Sequence, residues 1–136
     1  MLEWGSFTDL VLDKFTYLIS EYNCSIIPLE QFYDSPVEDF MVVFQNDKCR
    51  IEVIDDRGEV SVKITSLDKN IINRKRTSLL RLIKAKNPGF KLRFPYDMDS
   101  GENWKHIVDQ VIELADLLRF YGDPLLRGDF SGSVAQ

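Results

Sequence analysis

Between Phe40 and Ile64 the chain alternates apolar and polar positions: Phe40, Val42 and Phe44, then Cys49, Ile51 and Val53, then Val60, Val62 and Ile64. A period of two marks strands buried on one face. The polar clusters Gln45-Asn46-Asp47-Lys48 and Asp55-Asp56-Arg57-Gly58 mark tight antiparallel connections between them. The opposite face carries Arg50, Glu52, Ser61 and Lys63, so one side of this meander is expected to be wet and the other covered by helices.

The flanks supply those helices. Ser6 can cap a helix with Phe7, Leu10, Val11, Phe15, Leu18 and Tyr22 at helical spacing, and Asn23 is a plausible stop. Cys24 to Phe32 is apolar but irregular, and Pro28 demotes it to an edge strand or an extended lead-in. Leu79, Leu80, Leu82 and Ile83 predict a short helix ended by Asn87-Pro88-Gly89, and Phe90 to Phe94 alternates as an extra strand would. The strongest helix follows: Trp104, Ile107, Val108, Val111, Leu114, Ala115 and Leu118 form one stripe, with Asp99 and Glu102 at capping-box spacing before it and Gly122 just past its end. The expected fold is α+β, an antiparallel β-meander of three to five strands packed against N-terminal and C-terminal helices, with a short basic helix. Residues 1–136 are expected to form one domain, with 131–136 a flexible tail.

Charge sharpens this picture. The 136 residues carry a formal net charge of -5, yet Lys69 to Arg93 holds nine basic residues and no acidic one. Two surfaces therefore compete for a functional role. One is acidic: Asp34, Glu38 and Asp39 beside the first strand, and Asp55 and Asp56 at a turn. Such patches suit a basic protein partner, because complementary charge speeds association and selects the partner. The other is basic: Arg74, Lys75, Arg76, Arg81 and Lys84, a stripe that would suit a small nucleic-acid-binding or regulatory module, or would simply balance the acidic remainder.

Catalytic chemistry finds no motif. His106 lies beside the apolar stripe of the last long helix and reads as structural, with no Gly-x-Ser-x-Gly elbow or Gly-rich phosphate loop elsewhere. Asp97 to Glu102 resembles a calcium loop only superficially, since position twelve is Val108. Cys24 and Cys49 read as small buried hydrophobes in a reducing compartment, too few for a zinc site. No enzyme activity, catalytic residue, metal or cofactor is expected. The absence of a roughly 18-residue apolar run or a basic-then-apolar amino terminus points to a cytoplasmic protein, monomeric or weakly dimeric, with no membrane partner.

The run from Trp104 to Tyr121, followed by Leu125-Leu126-Arg127-Gly128-Asp129-Phe130-Ser131, resembles the closing helix and Gly-Asp-Phe tail of bacterial immunity proteins from polymorphic-toxin and contact-dependent growth-inhibition systems. The layout of opening helix, Val42 to Asn46 strand and hairpin partner is compatible. The resemblance implies a cytosolic, non-enzymatic inhibitor that binds one cognate toxin domain and blocks its active site or a neighbouring surface. Nucleases with basic clefts are among such toxins, and an acidic inhibitor would match them. It transfers no binding residue.

Overall fold

A computed structural model describes residues 5–28, 40–68, 76–99 and 102–131. Five strands lie in one antiparallel sheet in simple sequence order: β1 (Ser25–Ile27), β2 (Met41–Gln45), β3 (Cys49–Asp56), β4 (Glu59–Ser66) and β5 (Arg76–Ser78). Helices α1 (Phe7–Lys14), α2 (Tyr17–Ser20), α3 (Leu79–Lys86), α4 (Trp104–Tyr121) and α5 (Asp123–Leu126) complete the α+β architecture. The alternation in β3 and β4 does what it promises. Ile51, Val53, Val62 and Ile64 are buried beneath Leu10, Leu82, Val111 and Leu118 in one apolar cluster.

The opening helix is interrupted. Ser6 caps α1 by accepting a hydrogen bond from the Asp9 amide at 3.1 Å, but α1 ends at Lys14 and α2 begins at Tyr17. The break still buries both Phe15 and Leu18, and Asn23 stops the pair at a φ of 60°. Ser78 and Asn103 cap α3 and α4 in the same way as Ser6, through the amides of Arg81 and His106. The cap of α4 is therefore Asn103, not the Asp99 that the spacing suggests. Asp97 instead accepts from the Asp99 amide.

Two further differences shape the surface. Phe90 to Phe94 forms no strand, although its burial alternates as expected. The Glu113 carboxylate accepts from the amides of Arg93 and Phe94, at 2.6 and 2.9 Å, and takes main-chain groups that a ladder would have used. The sheet gains β5 instead, three residues that the sequence signals weakly. The outer face is also less open than alternation implied, since Met41 and Val43 are buried there; the continuous apolar run of β2 is the pattern of a strand covered on both faces.

A candidate partner-binding edge

The two-residue turn Arg57-Gly58 joins β3 to β4, both residues having positive φ, 53° and 97°. This is the backbone twist that tight hairpins require. Asp55 braces it: its Oδ1 accepts from the Gly58 amide at 2.8 Å, so this carboxylate serves the turn. The register then places Asp56 directly opposite Glu59. Both side chains follow the alternation onto the outer face and are exposed. Among the described residues neither forms an ion pair. Two like charges facing each other across a ladder oppose folding.

Behind this pair the edge of the sheet is only partly covered. Among the described residues β5 pairs with β4 at Lys63, Ile64 and Thr65. Towards the turn, Gln110 of α4 takes the place of a strand: buried, it accepts from the Val60 amide at 3.1 Å and donates to the Gly58 carbonyl at 2.7 Å. A buried glutamine meeting main-chain donor and acceptor together satisfies groups that would otherwise be lost to water. Beside it opens a groove of about 440 Å³. Val62, Leu79 and Leu114 are its buried floor, half-buried Leu92 and Tyr96 its wall, and Asp56 and Glu59 its exposed rim.

The basic candidates meet elsewhere. Arg76 and Arg81, with Lys63, Thr77 and Ser78, line a shallow notch of about 300 Å³, where Arg76 is held 2.9 Å from Glu52. Lys84 is exposed in the last turn of α3, outside that notch. Asp34, Glu38, Asp39, Arg74 and Lys75 lie outside the described residues. Of the acidic candidates, Asp56 thus stands at the groove while Asp55 holds the turn. Sequence reasoning missed Glu59, Gln110 and Tyr96. The two-residue turn gave a signal for Glu59, because it pairs the residues on either side; Gln110 and Tyr96 come from distant segments and carried none.

Groups suited to other chemistry are engaged in structure. His106 Nε2 lies 3.1 Å from the Pro95 carbonyl, which can only accept, so that nitrogen carries the proton. Burial pushes the Cys24 thiol up to about 11 and the Cys49 thiol up to about 12, so both stay protonated and unreactive at neutral pH. Among the described residues no cluster of His, Cys, Asp or Glu could hold a metal, and no helix is long and apolar enough to cross a membrane. Compared with protein families, characterised proteins and solved structures, the chain matches none.

Proposed function

We propose that this protein is an immunity-type inhibitor: a non-enzymatic cytoplasmic protein that binds one cognate toxin domain and blocks its active site or the approach to it. The observation that carries this reading is the opposed pair Asp56 and Glu59, exposed, without an ion pair among the described residues, and set at the rim of a groove. A like-charge pair weakens the free protein, and a basic surface brought against it converts that repulsion into attraction. The resemblance of the last long helix and its Gly-Asp-Phe tail to immunity proteins supplies the class of partner.

The test is a calorimetric titration with the carboxy-terminal domain encoded immediately upstream. One-to-one nanomolar binding is expected, weakened at least about tenfold when Asp56 and Glu59 both become lysine, which corresponds to about 1.4 kcal/mol. Absence of binding by the unaltered protein removes the inhibitor reading. Unchanged affinity of the double variant removes this edge from it.

A second reading is favoured by the notch of Lys63, Arg76 and Arg81: a small nucleic-acid-binding or regulatory module. Its mark would be a salt-sensitive gel shift of labelled RNA or DNA, lost when Arg76 and Arg81 become alanine. An unshifted probe would exclude it.

A further inference from the structure

The groove beside β4 combines three features that select one kind of occupant. Its floor is apolar, formed by Val62, Leu79 and Leu114. Its wall includes an aromatic residue, Tyr96. Its rim carries the Asp56 and Glu59 carboxylates on adjacent strands. Lys63 also lines the groove, but at the end where β4 pairs with Ser78 of β5, away from the turn that carries Asp56 and Glu59. At the turn end, the charged residues that line the groove are these two carboxylates.

We propose that this groove receives an extended, arginine-bearing loop of a protein partner, the guanidinium meeting Asp56 and Glu59. Arginine fits on each count. Its three-carbon stem covers apolar surface while its head stays at the rim. Its planar fork pairs with carboxylates through two parallel hydrogen bonds and stacks on an aromatic ring, which a lysine ammonium does less well. Gln110 already occupies the Val60 amide and the Gly58 carbonyl, so recognition falls to side chains rather than to the addition of a strand along the whole edge. This assignment rests on reading the edge as the partner-binding site, and it narrows the partner to one presenting an exposed basic loop.

The experiment uses the full chain, isotope-labelled, and a blocked octapeptide of alternating arginine and valine, with a second peptide in which citrulline replaces arginine at equal shape and no charge. Saturable shifts are expected at the amides from Asp56 to Lys63 and at the Gln110 side chain. The citrulline peptide, and separately the doubly neutralised variant carrying Asp56→Asn and Glu59→Gln, should bind at least about tenfold more weakly. Removing a repulsive pair favours folding, so that variant remains a fair test. Equal binding of the citrulline peptide, shifts confined to the Lys63, Arg76 and Arg81 notch, or no shifts at millimolar peptide would each overturn the assignment. A parallel titration with the upstream-encoded toxin domain separates the two claims. Peptide binding at the groove without toxin binding upholds the groove and sinks the inhibitor reading; toxin binding that leaves the Asp56 to Lys63 amides unshifted does the reverse.

Discussion

Asn46 holds more of this fold than its place in a turn suggests. Its Oδ1 accepts from the amides of Lys48 and Cys49, at 2.8 and 2.9 Å, shaping the β2–β3 connection. Its Nδ2 donates to the carbonyls of Tyr22 and Leu126, at 2.9 and 3.3 Å, fastening the ends of the second and fifth helices to that turn. Asn46→Ala should cost about 2 kcal/mol, since half-buried main-chain groups lose their partners; urea unfolding measures it, and a loss below about 0.5 kcal/mol would refute the role. Nearby, the Tyr22 hydroxyl donates to Asp123 at 2.5 Å, and Arg127 adds a second donor at 3.0 Å. The Tyr22 hydrogen bond, then Arg127, hold the Asp123 carboxyl below its ordinary 3.8, while burial and the same bond push Tyr22 up to about 12. A depressed folded value adds stability that is complete above 3.8 and disappears as pH falls through the folded value. Asp123→Asn should therefore lower the melting temperature at pH 7 and converge with the unaltered protein in strong acid. A gap that stayed constant down to about pH 2 would contradict that linkage.

At the scale of elements, the β3–β4 hairpin shows a conflict between folding and recognition. Its turn is well built, with Asp55 on the Gly58 amide and positive φ at both central residues. Its first cross-strand pair is badly chosen for stability, two carboxylates face to face. Glu59→Gln should stabilise the free protein by about 0.5 kcal/mol, read as a higher urea midpoint, while weakening a basic partner. A destabilised variant would mean that Glu59 supports the hairpin instead. The segment from Phe90 to Tyr96 illustrates the complementary case, where a side chain replaces a ladder. Glu113 binds two of its amides and keeps Leu92 and Tyr96 along the groove. Glu113→Ala should unmoor this wall, costing about 2 kcal/mol and speeding hydrogen exchange at the Arg93 and Phe94 amides. Unchanged exchange there would show that packing alone holds the segment.

Across the whole molecule, charge is divided more sharply in sequence than in space. Arg76, from the basic segment, reaches back to Glu52 of β3, and Arg119 of α4 pairs with Glu21. The acidic rim at one end of the edge keeps two opposed carboxylates that form no ion pair among the described residues. Binding of a basic domain there should show an association rate that falls steeply as salt rises through about 0.15 M, where screening acts within roughly 8 Å, while the dissociation rate changes little. A salt-independent association rate would exclude steering by the acidic rim. The sequence by itself determined the sheet's central strands, the face that α4 buries and the sites of both tight turns, because period-two and period-3.6 patterns and turn chemistry act over neighbouring residues. Tertiary structure alone decided that Arg93 and Phe94 give their amides to Glu113, that Arg76 to Ser78 completes the sheet, and that Gln110 closes an edge beside a groove. Each of these joins residues from 11 to 52 positions apart. Such pairings depend on where the chain returns, and no local periodicity encodes that.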